Sequence, residues 1–358
     1  MPSLKEIKGR INSISSTLAI TSAMKMVAAA KLQKAQMAIQ NMLPYERRLH
    51  SMLIDLMGAM NISAAASEDG SVRGSGSAER GFDQSGDRLS LSNRHDLAGM
   101  DGAYSLMAQR QVHRVAIVAF ASNSSLCGAF NSNVIREATA VINEYRASGL
   151  GDADITVYSV GRKMAEAMKK LGFPSPADFT KMSDSPSYDA ASALAQELLD
   201  GFVSGRFDKV ELVYNHYKST SSQPTTRQTY LPLSLADATA DLQAGKIADS
   251  ASESDTNRGA EPVGAPVVRQ GSPTTEDLIV EPSKEELIAT LLPKVVRLRV
   301  FTTLLDSTAA EQAARTVAMQ LATDNGNDLL QELTLEYNKG RQQKITSEIL
   351  DLVGGSMQ

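Results

Sequence analysis

"AITSAMKMVAAAKLQKAQ", residues 19–36, consists largely of alanine, lysine, glutamine and methionine with no glycine or proline, a composition that predicts helix. Its apolar residues do not keep to one side. Ile20, Met24 and Val27 share a face, Met26 and Ala30 share another, and Lys25 sits between the two methionines. A helix apolar on nearly every face must be packed or enclosed, and its lysines argue that the enclosure is protein rather than lipid.

Working outward, Leu4, Ile7, Ile11, Ile14, Leu18, Thr21, Lys25, Ala28, Leu32, Ala35, Ile39 and Met42 follow alternating three- and four-residue steps. That heptad seam asks for a left-handed coiled-coil partner. It weakens at Thr21, Lys25 and Ala28, inside the quoted stretch. Pro44 is a candidate kink, after which Tyr45 to Met60 resumes the pattern. Residues 1–60 are therefore expected to form one coiled-coil helix.

A matching block closes the chain over 282–358. Ser283 with Glu286 is a capping-box signature, and a helical pattern runs from Glu285 to Val353, with Pro293 an expected bend and Gly326 a weak point. Leu291, Val295, Leu298, Thr302, Leu305 and Ala309 repeat at the same spacing. Neither terminal helix has a second one nearby in sequence, so the economical solution is that they pair with each other. Entering and leaving one globular domain makes them antiparallel. About fifty-five residues give a rod of roughly 80 Å, longer than the domain is wide.

Between them, residues 111–235 read as that domain. Buried strands are expected at 112–120 and 155–161, helices at 134–145, 162–171 and 190–202, a strand at 210–217 and an antiparallel neighbour at 226–233. Alternating strands and helices imply a mainly parallel sheet covered by helices, an α/β fold. The flanking segments 61–110 and 236–281 are polar and low in complexity, and read as largely disordered insertions. Short ordered pieces are expected near Leu89 and Tyr104, and a short strand at Leu278–Val280.

Composition narrows the function. A net charge of −5 and a pI near 5.5 argue against a dedicated nucleic-acid binder. The single cysteine, Cys127, excludes an intramolecular disulfide and reads as a small buried packing thiol. No run approaches the length of a membrane span, and the N-terminus resembles neither a signal nor a transit peptide. No P-loop occurs, and the turn "SNSSLCGAFNSN" lacks the glycine pattern that admits a pyrophosphate. His50, His95, His113 and His216 lie on different elements and read as surface or strand-end residues rather than metal ligands. No catalytic residue, cofactor site or metal site is expected. On the first helix Lys5, Lys8, Arg10, Lys25, Lys31, Lys34, Arg47 and Arg48 outnumber the acids, which suits an acidic partner surface as well as solvent.

Three motifs in order, "ITSAMKMVAAAKLQKAQ", "LCGAFNSN" and "ATDNGNDLLQELTLEYNKGRQQKITSEILDLVGG", resemble the gamma subunit of F-type ATP synthase across the chain except its two polar insertions. The resemblance implies a long antiparallel coiled coil of the terminal helices plus a Rossmann-like parallel-sheet domain. It implies a central rotor shaft turned by proton flow, without catalytic residues of its own. Its implied partners are the catalytic and non-catalytic ring subunits, the epsilon subunit and the membrane c-ring. The implied location is peripheral, on the cytoplasmic side of a bacterial inner membrane. By position, Met24, Lys25 and Met26 fall where such a shaft faces the acidic lever of the catalytic subunits. Arg341, Gln342 and Thr346 match polar positions that hydrogen-bond the upper sleeve. Lys344 departs from the family's small residue, and Asn123-Ser124-Ser125 replaces its usual Asp-Arg-Gly. A static coiled-coil scaffold with the same head is the alternative, and an enzyme with helical arms is disfavoured by the missing phosphate loop.

Overall fold

Val115–Phe120 (β1) is apolar and buried at every position, as a strand covered on both faces must be. The computed structural model describes residues 3–59, 106, 109–233 and 284–355. β1 lies between two parallel neighbours, β2 (Ile155–Val160) and β3 (Lys209–Asn215), with Val115 opposite both Ile155 and Lys209. The antiparallel β4 (Thr225–Leu231) completes the order β2-β1-β3-β4. The expected strand at 112–120 starts only at Val115, because the His113 and Arg114 amides donate to the Asp208 carboxylate at 2.9 Å instead of to a neighbouring strand. The expected strand at 210–217 stops at Asn215, since the two residues after it turn to meet the shaft.

Successive β1 residues point to opposite faces. Val115, Ile117 and Ala119 pack under α2 (Phe130–Ala147) and α3 (Arg162–Lys170), against Val134, Ile142, Met164 and Met168. Ala116, Val118 and Phe120 face a larger core closed by α5 (Tyr188–Val203) and by parts of the terminal helices. The single turn α4 (Thr180–Asp184) was not expected. It is too short to show a period, yet it buries Met182 in that core. Leu106, at the end of the first polar stretch, belongs to the same core, and its carbonyl accepts the Leu233 amide at 2.9 Å. The strand expected at Leu278–Val280 and the pieces near Leu89 and Tyr104 lie outside the described residues.

The terminal helices are α1 (Leu4–Ala59, 56 residues) and α6 (Lys284–Gly355, 72 residues), roughly 84 and 108 Å long. Ser3 Oγ accepts the Glu6 amide at 3.2 Å and so caps α1. Both helices continue through their prolines, Pro44 and Pro293, so the expected bend is no break. All twelve seam residues of α1 are buried or half-buried, and from Leu4 to Ala35 only Ser22 joins them. The pairing is antiparallel: Leu4 meets Gly340, Leu18 meets Gly326, and Thr323 Oγ1 donates to Thr21 Oγ1 at 3.2 Å. Gly326 is therefore more than a tolerated weak point. A β-carbon there would lie 2.6 Å from Leu18 Cδ2, so the missing side chain makes room for the leucine.

The first half of α6 carries two buried stripes. Ile288, Leu292, Val296, Val300 and Leu304 pack into the sheet core, while Val295, Leu298, Leu305 and Ala309 belong to the seam side. One helix is thus a layer of the head and a strand of the shaft at once.

Candidate functional site

From Leu4 to Ala35 the seam uses one stripe of α1 and leaves the rest of its circumference bare. Ile20 is 57% exposed, Met24 40%, Met26 67% and Val27 57%, all within the stretch that looked apolar all round. Lys25 lies on the seam and is half-buried. The three residues Met24, Lys25 and Met26 thus form one band of mixed exposure.

Arg341, Gln342 and Thr346 form a second, separate band. They lie on α6 beyond Gly340, the partner of Leu4, and hence just past the start of α1. All of residues 341–350 are exposed, including the apolar Ile345, Ile349 and Leu350. Thr346 Oγ1 donates to the Gln342 carbonyl at 2.9 Å, so its lone pairs are what it offers a neighbour. Lys344 reaches Glu348 at 3.8 Å, an exposed pair of small energetic weight. The two bands are not brought together: about twenty residues of helix, roughly 30 Å, separate them.

Below the first band the head grips the shaft. Arg315 donates to the Ser125 carbonyl at 2.7 Å, to Ser124 Oγ at 2.8 Å and to Glu311 at 2.6 Å. Cys127 and Phe130 are buried against Ala310, as expected of a packing thiol. Asn123 accepts the Arg162 amide at 2.8 Å at the start of α3. Arg162 in turn donates to the Asn123 carbonyl at 2.7 Å, so two arginines from other elements hold this turn. Leu126, at its apex, takes a left-handed backbone (φ 69) and is exposed.

A second attachment lies at the end of β3. His216 Nδ1 meets Asp306 at 2.6 Å, the Tyr217 amide donates to the same carboxylate at 2.9 Å, and Gln36 donates to the Tyr217 hydroxyl at 2.6 Å. The hydrogen bond to Asp306 raises the His216 pKa above its usual value. His50, expected at the surface, is instead only 7% exposed. Burial, helped by the Arg299 charge, lowers its pKa to about 4 and keeps it neutral. His50, His216, Tyr217, Arg299 and Asp306 border a cleft of about 400 Å³ between shaft and head. None of them signalled this in the sequence, because they come from three distant segments.

On the opposite face Glu211 is 1% exposed and accepts from Tyr145 at 2.6 Å, Arg227 at 2.7 Å and Lys209 at 2.7 Å. Burial pushes its pKa up, but these three donors outweigh it and hold the carboxyl below its ordinary value. The cluster fastens the edge strand β4 to α2. Among the described residues, no group of three His, Cys, Asp or Glu side chains could hold a metal ion, and no helix is long and apolar enough to cross a membrane.

A coiled-coil rod seated without a hinge on an α/β head, with a band of bare apolar side chains partway along it and another at its tip, has the form of a shaft subunit of a larger assembly. A family model described as ATP synthase matches residues 3–357. The ATP synthase gamma chain of Phocaeicola vulgatus is 47% identical over 357 residues, covering 100% of both chains. That of Flavobacterium psychrophilum is 35% identical and covers 99% of this chain and 98% of its own. Among solved structures, a chain of the Euglena gracilis mitochondrial ATP synthase (OSCP, F1 and c-ring, rotational state 3) has the same fold. It gives a TM-score of 0.52 at 19% identity, over 99% of this chain and 93% of that one.

The chain belongs to the ATP synthase gamma-chain family, and its part in ATP synthesis and proton transport is that of the rotor subunit within the membrane-peripheral F1 portion. End-to-end matching also means that the polar stretches at 61–110 and 236–281 are not additions peculiar to this chain.

Proposed function

We propose that the bare bands of the shaft are bearing surfaces, turned in succession past the catalytic and non-catalytic subunits of a surrounding ring. Met24, Lys25 and Met26 face the acidic lever of the catalytic subunits, and Lys25 gives that acid an attractive partner whose identity changes with rotation. Arg341, Gln342 and Thr346 hydrogen-bond the sleeve further up. The head rests on the epsilon subunit and the c-ring at the cytoplasmic face of a bacterial inner membrane. The chain contributes no catalytic residue and no cofactor; its work is mechanical.

The supporting observation is the exposure of Ile20, Met24, Met26 and Val27 outside a seam that is otherwise well buried. Methionine offers soft, adaptable contact to a surface that changes, and the intervening alanines keep the rod narrow. The test is Met24→Lys in inverted membrane vesicles, measuring ATP hydrolysis and proton pumping together. An added cation facing the acidic lever should preserve hydrolysis and reduce the protons pumped per ATP. An unchanged ratio sinks the placement of this band.

A further inference from the structure

His50 lines the cleft between shaft and head, is more than nine-tenths buried, and its Nδ1 has no hydrogen-bond partner among the described residues. Buried polar atoms are almost always hydrogen-bonded, so this exception at the edge of an open space asks what fills it. The cleft holds about 400 Å³, within the range of small-molecule sites. Ile39 and Leu43 of α1 supply an aliphatic wall, and Tyr214 and Tyr217 supply aromatic ones. A water could satisfy the nitrogen, but it would leave those apolar walls wet. Nothing in the torque reading uses this space.

The other titratable side chains at the cleft are already engaged. Asp306 is met by His216 and the Tyr217 amide, and Glu46 by the Thr302 hydroxyl at 3.1 Å. Arg47 and Arg299 have partners within the protein. An ion entering here would shed its hydration without meeting an uncommitted counter-charge, a cost that an uncharged ligand does not bear. Burial keeps His50 itself neutral, with a pKa of about 4, so one of its ring nitrogens donates and the other accepts. A hydroxyl can do either and therefore pairs with Nδ1 in both tautomers.

We propose that this cleft binds an uncharged phenol with a short alkyl tail, its hydroxyl on His50 Nδ1, its ring against the tyrosines and its tail along Ile39 and Leu43. Bound there, it contacts α1, α6 and the end of β3 together, and so clamps the shaft to its seat. The site is independent of which subunits surround the rod.

Full-length protein is titrated at neutral pH with para-propylphenol by calorimetry. Propylbenzene, which lacks the hydroxyl, and para-propylbenzoate, which carries a charge, are the counterparts. Saturable binding of one para-propylphenol per chain is expected. It should weaken about threefold to tenfold in His50→Phe and for propylbenzene, since each loses one neutral hydrogen bond. Leu43→Trp, which puts a larger side chain into the cleft, should weaken it by about tenfold or more, as should the charge of para-propylbenzoate. Propylphenol carrying a diazirine on its tail should label residues 39–50 or 299–306, a readout that needs no variant. Absence of saturable binding overturns the proposal and leaves the cleft to water. So do equal or tighter binding of either counterpart, unchanged affinity in both variants, or labelling confined to the bare shaft at 20–27 and 345–353.

Discussion

Gly161 links β2 to α3 with φ +98, and a β-carbon there would sit 2.1 Å from the Ala121 carbonyl oxygen. Backbone cannot step aside as a side-chain tip can, so Gly161→Ala combines left-handed strain with a clash. We expect a loss of about 3 kcal/mol or more in urea unfolding; a loss under about 1 kcal/mol would mean that the turn relaxes freely. The two histidines at the cleft carry opposite pH dependences. His50 falls from 6.5 in the unfolded chain to about 4 in the folded one. Between those values the unfolded state takes up the proton first, so stability drops with acidification, by about 3 kcal/mol in full. His216 is raised, so its contribution is complete below about 6.5 and fades as pH rises through the folded value. His50→Phe should flatten stability between pH 6.5 and 4, and His216→Gln should flatten it on the alkaline side. Profiles superimposable on the parent would contradict both assignments.

Elements separate two kinds of apolar residue that composition alone confounds. Leu32 packs between the helices against Ala309 and Ala313, whereas Met26 is two-thirds exposed a turn and a half away. Leu32→Ala should cost about 2–5 kcal/mol in denaturant unfolding, and Met26→Ala within about 0.5 kcal/mol. Yet on the bearing reading, Met26→Ala is the one to disturb coupling while the fold stands. If Met26→Ala is as destabilising as Leu32→Ala, the bare band is a folding surface after all. The seam was legible in the sequence because heptad spacing is a local pattern: Ile7, Leu32 and Ala35 could each be placed from their neighbours. Strands at 155–160 and 225–231 were legible for the same reason. The seat was not. His50, Gln36, His216, Asp306 and Arg315 acquire their roles only where three distant segments cross, and no spacing along the chain encodes such a crossing. Gly326 was misread because its use depends on Leu18, which lies at the far end of the sequence.

For the whole molecule, what matters is that α6 has no joint between head and rod. Val296 and Val300 are buried in the sheet core, Leu298 and Leu305 lie on the seam side of the same turns, and the Tyr230 hydroxyl donates to the Val296 carbonyl at 2.9 Å. Twisting the rod on the head would have to unpack both stripes at once, at about 1.5–3 kcal/mol for each buried side chain exposed. The His216–Asp306 pair and Arg315 add two further grips just beyond that stretch. Torque applied to the head therefore reaches the rod through packing rather than through a hinge. Beyond Gly340 the situation reverses, since α6 continues without α1 and every described side chain from Arg341 to Leu350 is exposed. Truncation after Gly340 should leave the unfolding free energy of the isolated chain within about 0.5 kcal/mol of the parent. Truncation after Thr323 should cost several times more, because it removes the buried Leu333 and Gly326, the partner of Leu18. In vesicles the shorter truncation should lower pumping while the chain still assembles, because it deletes only the upper bearing. Equal stability losses for the two truncations would show that the tip is folded against something in the isolated chain, and would withdraw it as a bearing.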